Sequence, residues 1–502
     1  MAGRLSQIKM DSRFGRIGLP ILAGVLAASG HAPLNWGFPT LLGLMASYFL
    51  FARACDAKSA FRTGWWIGVG YFAVSLNWIV EPFLIELAAT GWMAPFALIL
   101  MSGGLALFWG AAMWLAFRFG QGIVVWAVAM ALGDFVRAYL LTGFPWATPS
   151  YTWVNSIAAQ IAAWIGPHGL NFLLFLSAAW LARLTIHKSI CSYKWPMFIF
   201  LVISAIPATK MEMPTDGPIF RLIQPNAPQD EKWRRDMLEV FFERQLSLSA
   251  EPGNPDFIVW PETAVALPIP HAADLFVEMA AIAGDAQIIT GIQRVDGLLN
   301  YNSLVVLDTS GHVEQIYDKH HLVPFGEYLP LGDLLARYGL HGLAAEDGAG
   351  YASGHGPQNI ALAGIGAVLP LICYEVVFPQ DLRVESRPKL LLQITNDAWF
   401  GRFSGPYQHL AQARMRTIEQ GLPMIRVANT GVSAVIDARG NIVASIPLGQ
   451  SGYLDTNLPS EKPETLYAKT GDIPIAVVLL LLGFIAIAWK KRIPIDGSRR
   501  QN

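Results

Sequence analysis

The apolar run from Gly366 to Ile372 has the length of a buried strand, and it ends abruptly in Cys373, Tyr374 and Glu375. A thiol at the end of a strand can face a cleft, where it could act as a nucleophile in covalent catalysis. Free cysteine is also among the residue types most often buried in a core. This position alone therefore leaves a catalytic and a packing interpretation open.

A cysteine nucleophile needs a base for its proton, and it needs positive charge or N–H donors where an oxyanion develops. Glu262 follows the strand-like run Phe257–Trp260 and could be that base, with its pKa raised by burial. Lys319 could stabilise the thiolate and the oxyanion, together with the backbone N–H of Tyr374. Each charged residue taken singly is as well explained by a structural ion pair or a solvated surface.

The chain that must position these residues is unusually apolar. Hydrophobic residues make up 53% of the 502 residues, charged residues make up 15%, and the mean hydropathy is +0.39. Soluble domains average about 25% charged residues, so the chain is predicted to be a membrane protein at least in part. The net charge of −1 gives no nucleic-acid footprint. About eight transmembrane helices are predicted, near 17–31, 38–54, 63–80, 92–116, 121–141, 167–186, 195–209 and 473–489.

The distribution of basic residues predicts the orientation of these spans. The N-terminus and the loops after the second, fourth, sixth and eighth spans contain Lys or Arg, whereas residues 32–37 contain none and residues 81–91 contain Glu81 and Glu86 instead. By the positive-inside rule both termini are cytoplasmic, and residues 210–470 lie on the outer side. For a bacterial cell this is the periplasm, at the inner membrane. The first span could be taken for a secretory signal, but no clean cleavage site follows it.

Residues 215–460 have a different sequence pattern, in which short strand-like runs alternate with helix-like ones. This alternation predicts an α/β layered domain. The expected domains are 1–210, with seven spans, 211–465, which is catalytic, and 466–502, with the last span and a basic tail. The Gly- and Ala-rich residues 341–357 are predicted to form a mobile loop or lid. The predicted strands are Ile219–Ile223, Phe257–Trp260, Gln287–Ile292, Ser303–Leu307, Val368–Ile372, Leu390–Ile394, Met424–Ala428 and Ala434–Ile436; the predicted helices are 229–249, 271–284 and 407–420.

The predicted topology distinguishes the three cysteines. Cys55 and Cys191 lie in predicted cytoplasmic loops, and Cys373 is alone on the outer side. An unpaired thiol in the oxidising periplasm invites oxidation or wrong pairing. This favours a chemical role for Cys373.

Three motifs in order then resemble the nitrilase, or carbon–nitrogen hydrolase, superfamily. They are Trp-Pro-Glu ending at Glu262, the stretch from Asp318 through Lys319 to Glu327, and Cys-Tyr-Glu beginning at Cys373. Lys319 follows Glu262 by 57 residues and precedes Cys373 by 54. The resemblance implies an αββα sandwich with a Glu-Lys-Cys triad.

Over essentially its full length the chain resembles the apolipoprotein N-acyltransferase family, a membrane-embedded branch of that superfamily. Supporting stretches are Leu141–Trp146 and Thr395–Gly401, while Gly133-Asp134-Phe135 departs from the expected acidic–aromatic position by one residue. The resemblance implies that Glu262, Lys319 and Cys373 are catalytic. It implies supporting or substrate-binding roles for Glu327, Tyr374, Glu375 and Trp233.

The implied activity is transfer of a fatty acyl chain from a phospholipid, such as phosphatidylethanolamine, to the N-terminal amino group of diacylglyceryl-cysteine in apolipoproteins. It proceeds in two steps through a Cys373 thioester. No cofactor or metal is expected, since no carboxylate–histidine ligand spacing accompanies His320 and His321. The protein is expected to be a monomer in the membrane. Trp399, Phe400 and Phe403 could form an apolar loop that dips to the bilayer surface, or an ordinary packed loop.

Two other functions remain possible at this point. A membrane-anchored amidase or nitrilase would use the same triad and let water attack the thioester, although one anchoring span would suffice for it. A transporter or lipoprotein chaperone would have a decayed nitrilase domain. The intact Glu-Lys-Cys set argues against decay, and Asp134 is the only charge near a predicted span midplane.

Overall fold

The computed structural model describes residues 12–186, 202–209, 211, 214, 216–330 and 350–492. These residues form two compact units. The first unit takes its residues from Met1–Val80, Met93–Pro207 and Thr470–Asn502, and the second takes its residues from Glu81–Trp92 and Ala208–Lys469.

The first unit is helical. Two helices in the described part of the chain, Leu87–Phe119 and Ile157–Thr185, are long and apolar enough to cross a membrane, and Ala57–Ser75 with Asn77–Ile85, bent by 63°, would make a third. The predicted count of eight spans is therefore not confirmed, because most of the other apolar helices are shorter and residues 195–201 of the span at 195–209 lie outside the described residues. The longer helices assigned to this unit are Leu19–Ala28, Gly37–Phe51, Ala57–Ser75, Ala94–Phe119, Ile123–Tyr139, Ala162–Ile186 and Ile473–Arg492.

Small residues let these helices approach closely. A Cβ atom at Gly24 would lie 2.0 Å from the carbonyl oxygen of Ile67, and one at Gly70 would lie 2.3 Å from that of Ile21. Such contacts are typical of helices packed in lipid, where backbone proximity replaces the hydrophobic driving force.

A buried polar cluster lies within the same unit. Asp134 accepts hydrogen bonds from Trp109 Nε1 at 2.9 Å and from Asn171 Nδ2 at 2.8 Å, and it pairs with Arg137 at 3.3 Å. Asp134 and Arg137 thus form a buried ion pair within the helix Ile123–Tyr139. A charge this deep in an apolar unit needs such partners.

The second unit contains two six-stranded sheets. The strands are β1 (Ile219–Gln224), β2 (Phe257–Val259), β3 (Gln287–Asp296), β4 (Leu299–Leu307), β5 (Val313–Asp318), β6 (Ile360–Leu362), β7 (Gly366–Ile372), β8 (Leu390–Thr395), β9 (Met424–Ala428), β10 (Ser433–Ile436), β11 (Ile442–Ile446) and β12 (Gly452–Asn457). Their orders in the two sheets are β12-β1-β2-β3-β4-β5 and β11-β10-β9-β8-β7-β6. In each sheet three parallel strands, β1-β2-β3 or β7-β8-β9, are extended by antiparallel strands on both sides.

All eight predicted strands form, and β5, β6, β11 and β12 add to them. Buried strands read as continuous apolar runs, which explains why the central ones are recognisable. Strands β11 and β12 are half-exposed and contain Asn, Asp, Thr and Ser, so their pattern is weak. Most of the predicted lid at 341–357 lies outside the described residues.

The helices of the second unit include Arg235–Ser249, Ala273–Ala283 and Gly405–Gln420, with short helices at Pro82–Ile85, Leu87–Thr90 and Leu466–Thr470. The helix predicted near 407–420 forms as Gly405–Gln420. Its charged side chains are buried as well: Arg416 and Glu419 have no exposed surface and pair with each other. This helix is therefore covered on every side, which its charged residues did not indicate in the sequence.

Candidate active site

Glu262 follows β2 and is buried, with both carboxylate oxygens hydrogen-bonded. Oε1 accepts from Asn302 Nδ2 at 2.7 Å, and Oε2 accepts from the backbone N–H of Asn396 at 2.8 Å. Burial raises the pKa of Glu262, and the positive charge of Lys319 opposes that shift. The carboxyl group is thus both held in place and poised to take a proton.

Lys319 follows β5, and its side chain is only 1% exposed. Its ammonium group donates to Glu327 Oε1 at 2.8 Å and lies 3.8 Å from Glu262 Oε1. Burial would lower the pKa of Lys319, but the negative charges of Glu327 and Glu262 outweigh it and leave that pKa raised. Lys319 is therefore a permanent buried cation between two carboxylates.

Glu327 is held from two further sides. Its Oε2 accepts from the backbone N–H of Val323 at 2.9 Å, and its Oε1 also accepts from Asn302 Nδ2 at 3.2 Å. Asn302 thus bridges Glu262 and Glu327 with one amide group. Sequence reasoning missed this residue because an asparagine within a strand gives no distinctive signal.

Cys373 directly follows β7 and is a free, buried thiol. Its backbone has φ of +51°, a left-handed conformation that costs a residue with a Cβ atom about 1–2 kcal/mol. Burial raises the pKa of Cys373, the charge of Glu262 raises it further, and Lys319 lowers it. The structure therefore brings the three predicted residues together, and the thiol is neutral until a base takes its proton.

A buried polar network holds the backbone of Cys373. The carbonyl oxygen of Cys373 accepts from Gln393 Nε2 at 3.1 Å and lies 3.1 Å from His409 Nε2. His409 Nδ1 in turn lies 2.8 Å from Asp397, which also pairs with Arg426. Only Asp397 stood in a stretch that the sequence singled out, because the other residues come from strands and helices that are distant in sequence.

Glu375 has no exposed surface and bonds back to the strand and to the Lys319 segment. Its Oε2 accepts from the backbone N–H of Ile372 at 2.7 Å, and its Oε1 accepts from that of His320 at 2.8 Å and from the hydroxyl of Tyr317 at 3.0 Å. Glu375 thereby links the backbone of Ile372, which precedes Cys373, to the backbone of His320, which follows Lys319.

The remaining predicted residues occupy different surroundings. Tyr374 is buried, which raises its pKa, and its ring packs edge-on against Phe378 at 4.9 Å. Trp233 is 43% exposed and lines a small cavity together with Lys232 and Thr263. Neither ring makes a described hydrogen bond to the three central residues.

His320, His321 and Asp381 meet in space, which the sequence did not predict because Asp381 is distant along the chain. Their ligand atoms lie within 4.8 Å of one another, a set that could hold a metal ion. Asp381 Oδ2 lies 2.7 Å from His321 Nδ1 and 3.4 Å from His320 Nε2, and Glu375 lies 2.6 Å from His320 Nδ1. These ion pairs account for the arrangement without a metal.

The predicted apolar loop is only partly exposed. Phe403 is 70% exposed, whereas Phe400 is 8% exposed and packs edge-on against His409. Of the two alternatives left open, Phe400 fits the packed loop, because it fills space beside the network that supports Cys373, whereas Phe403 remains available to an outer surface.

A cysteine with a left-handed backbone, a buried carboxylate and a buried cation lie in a domain with two six-stranded sheets, which is a nitrilase-like carbon–nitrogen hydrolase domain. Residues 238–465 match the family model described as carbon-nitrogen hydrolase, and residues 23–180 match that of the apolipoprotein N-acyltransferase N-terminal domain. The chain belongs to the apolipoprotein N-acyltransferase family, as the following relatives show.

Three relatives with that name each match at 35% identity. The protein of Rhodopseudomonas palustris matches over 94% of this chain and 95% of its own length, that of Bradyrhizobium diazoefficiens over 93% and 94%, and that of Caulobacter vibrioides over 93% and 93%. A solved CN-hydrolase superfamily protein of Xanthomonas campestris is 22% identical over 53% of this chain and 97% of its own. Its TM-score is 0.35, at which the likeness adds nothing to the assignment.

Proposed function

We propose that this protein transfers a fatty acyl chain from a phospholipid to the N-terminal amino group of diacylglyceryl-cysteine in apolipoproteins. The observation behind the proposal is the buried, unpaired thiol of Cys373, on which the charges of Glu262 and Lys319 act. The match to apolipoprotein N-acyltransferases over nearly the whole chain supports the choice of substrates. Phosphatidylethanolamine is the proposed acyl donor, and no cofactor takes part.

In the first half-reaction, the sulfur of Cys373 attacks the ester carbonyl carbon of the phospholipid while Glu262 takes the thiol proton. The raised pKa of Cys373 favours this simultaneous transfer, since burial disfavours a free thiolate. Lys319 and the backbone N–H of Tyr374 stabilise the oxyanion. The tetrahedral intermediate then expels the lysophospholipid oxygen, Glu262 returns the proton to that oxygen, and a thioester remains.

In the second half-reaction, the α-amino group of the acceptor attacks the thioester carbonyl carbon. Glu262 takes a proton from the amine, the carbon–sulfur bond breaks, and the proton passes to the sulfur. The products are the amide and the free thiol of Cys373. One base and one cation thus serve both substrates in turn.

The other predicted site residues have supporting roles in this proposal. Glu327 holds Lys319 through the 2.8 Å hydrogen bond. Glu375 fixes the backbone on either side of the site through Ile372 and His320. The exposed ring of Trp233 contacts substrate at the rim.

The proposed arrangement in the cell follows the charge distribution. Residues 1–210 form a membrane domain with seven transmembrane helices, 211–465 form a periplasmic αββα catalytic domain, and 466–502 form an eighth helix with a cytoplasmic basic tail. Both termini are cytoplasmic, and the protein acts as a monomer in the bacterial inner membrane. Acyl chains of both substrates are then available in the outer leaflet of that membrane.

Intact-protein mass spectrometry tests the function directly. The purified full-length protein is incubated with phosphatidylethanolamine micelles, beside Cys373→Ala and Cys55→Ala as a matched thiol control. We expect an added acyl mass on the wild type and on Cys55→Ala that hydroxylamine removes, and none on Cys373→Ala. A diacylglyceryl peptide should then clear the adduct and gain the acyl chain.

Two results would contradict the proposal. Clearance of the adduct by water at the same rate with and without the peptide would indicate a hydrolase. The absence of any adduct, with the lipid bound, would indicate that the two-step mechanism does not operate.

A further inference from the structure

Lys232 is a buried cation beside the proposed catalytic residues, and the mechanism above gives it no role. Its side chain is held within the second unit, and the residue is 7% exposed. The ammonium group donates to the carbonyl oxygen of Glu262 at 3.0 Å and to Thr263 Oγ1 at 2.8 Å. Lysine is rarely buried unless it is paired, so this position needs an explanation.

The turn that Lys232 contacts is under strain. Thr263 has φ of +45°, which is costly for a β-branched residue. Gly291 backs the turn so closely that a Cβ atom there would lie 2.5 Å from the Thr263 nitrogen and 2.6 Å from the Glu262 Cα atom. The two hydrogen bonds from the Lys232 ammonium group to this turn therefore help to fix the backbone from which the Glu262 side chain extends.

The charges at the site give Lys232 a second effect. Glu262 and Glu327 are two buried carboxylates, and Lys319 supplies one positive charge between them. One cation for two carboxylates leaves a net negative charge in a buried place, which is unfavourable. Lys232 supplies the second cation, and its charge lowers the pKa of Glu262, as that of Lys319 does.

We propose that Lys232 is a positioning residue of the acyl-transfer site, which holds the Glu262–Thr263 turn by two hydrogen bonds and keeps Glu262 ionised by its charge. This inference rests on the proposed function, in which Glu262 is the base. It requires no contact between Lys232 and substrate. It distinguishes Lys232 from a lysine that only fills a cavity, because a space-filling residue would not influence how Glu262 titrates.

The groups that face Lys232 also respond to its charge. Burial lowers the pKa of Lys232 to about 8, and the charges of Glu262 and Cys373 oppose that shift. Lys232 therefore begins to lose its proton near pH 8. Glu262 itself responds to Lys319, Glu327 and Lys232, so removal of one positive charge makes its carboxyl harder to ionise.

The test is the rate of acyl-adduct formation with phosphatidylethanolamine micelles between pH 5 and 10, for the full-length protein and four variants. Lys232→Gln removes the charge, Lys232→Arg keeps it, and Thr263→Ala removes one hydrogen-bond partner while Lys232 stays charged. Lys389→Gln is the control, because Lys389 pairs with Glu461 at 2.6 Å on an exposed surface. Thermal melting in detergent reports whether each variant is folded.

We expect Lys232→Gln to form the adduct roughly 10–100-fold more slowly, the effect of losing hydrogen bonds from a charged group. The acidic limb of its pH profile should move to higher pH. Thr263→Ala should be slower with its acidic limb unmoved. Lys232→Arg should keep the wild-type acidic limb, and it should lack the decline in rate that we expect of the wild type above about pH 8. Lys389→Gln should match the wild type.

Unchanged rate and unchanged acidic limb in a folded Lys232→Gln would overturn the inference. If that variant does not fold, an alkaline decline in Lys232→Arg identical to the wild type would overturn it instead. Failure of the wild type itself to form an adduct would reject the proposed function, so the two failures are distinguishable.

Discussion

Lys319 donates its hydrogen bond to Glu327, at 2.8 Å, and the carboxylate of Glu262 lies a full ångström farther away, at 3.8 Å. The lysine is therefore anchored by the glutamate that follows it in the chain. This leaves Glu262 bonded to neutral donors, the side chain of Asn302 and the backbone of Asn396. In the proposed mechanism Glu262 takes and returns a proton, and a lysine no nearer than 3.8 Å opposes that exchange less than a closer ion pair would.

Glu262→Gln should abolish most activity and leave the fold intact. Glutamine keeps the size of the side chain and can still accept from Asn302, but it cannot take a proton. We expect acyl-adduct formation to fall about 10²–10⁴-fold, the usual contribution of a general base. The measurement is the adduct rate by mass spectrometry with the melting temperature alongside. A rate within threefold of the wild type would contradict the role of Glu262.

Glu327→Gln should destabilise the protein more than Glu262→Gln does. Removing one partner of a buried, hydrogen-bonded pair leaves the Lys319 ammonium group poorly compensated, at a cost of about 3–5 kcal/mol. The double variant Lys319→Met with Glu327→Gln should regain part of that loss, because it removes the unpaired charge. Melting temperatures of Glu327→Gln, of Lys319→Met and of the double variant, each compared with Glu262→Gln, check this. A double variant less stable than both single variants would show that the pair is not the cause.

Cys373→Gly should melt at a higher temperature than Cys373→Ala, although both are inactive. The φ of +51° is costly for any residue with a Cβ atom and not for glycine. The difference in free energy of unfolding should be about 1 kcal/mol in favour of glycine. Thermal melting of the two purified variants measures it. Equal stability would mean that the backbone at Cys373 relaxes when the sulfur is absent.

Gly291→Ala should slow acyl transfer by displacing the Glu262 turn. A Cβ atom at Gly291 would meet the backbone of Glu262 and Thr263 at 2.5–2.6 Å, distances that require the turn to move. Gly452→Ala is the matched control, since a Cβ atom there has no neighbour within 4 Å. We expect a loss of at least about 10²-fold for Gly291→Ala, as a displacement near 1 Å can produce. An effect no larger than that of the control would contradict this reasoning.

Stability should fall as pH rises through about 9, because of His320. Burial lowers the pKa of His320, but its bonds to Asp381 and Glu375 outweigh burial and raise that pKa to about 9. A group whose pKa is higher in the folded state stabilises the fold fully below its unfolded pKa of about 6.5, and this contribution is lost as pH passes the folded value. Melting temperatures from pH 6 to 10 should therefore decline, and less steeply in His320→Asn. If the melting temperatures of the wild type and of His320→Asn fall in parallel as pH rises, His320 is not the source of the pH dependence.

The order of Glu262, Lys319 and Cys373 could be predicted from sequence, and so could the central strands β2 and β7 that precede Glu262 and Cys373. Strand β5, which precedes Lys319 at the edge of its sheet, was not among the predicted strands. Each central strand is a short apolar run that ends in a polar or reactive residue, so local pattern and site coincide. The partner of Lys319 could not be predicted, since Glu262, Glu327 and solvent are equivalent choices until the turn after β5 is known. The contact between His320 and Asp381 could not be predicted either, because it depends on the path of the chain after β7.

The burial of Arg416 and Glu419 was unpredictable for a related reason. A helix with charged residues on several sides normally faces water, and only tertiary partners make full burial tolerable. The same holds for Lys232, whose environment is created by the backbone of Glu262 rather than by any nearby residue in the chain.

The pairing of β1 with β12 constrains how this protein can be made. Ile219 is opposite Asn457. Arg221 is 1% exposed, and it donates to Asp455 through Nε and Nη2, each at 2.7 Å. The first sheet therefore stays one strand short until nearly all of its unit has been synthesised, and until then β1 has an open edge and a cation without its partner. Such distant pairing makes folding slow and leaves a nascent chain prone to aggregation. Truncation before residue 452 should thus release a chain that needs a chaperone or is degraded, even though every proposed catalytic residue is already present.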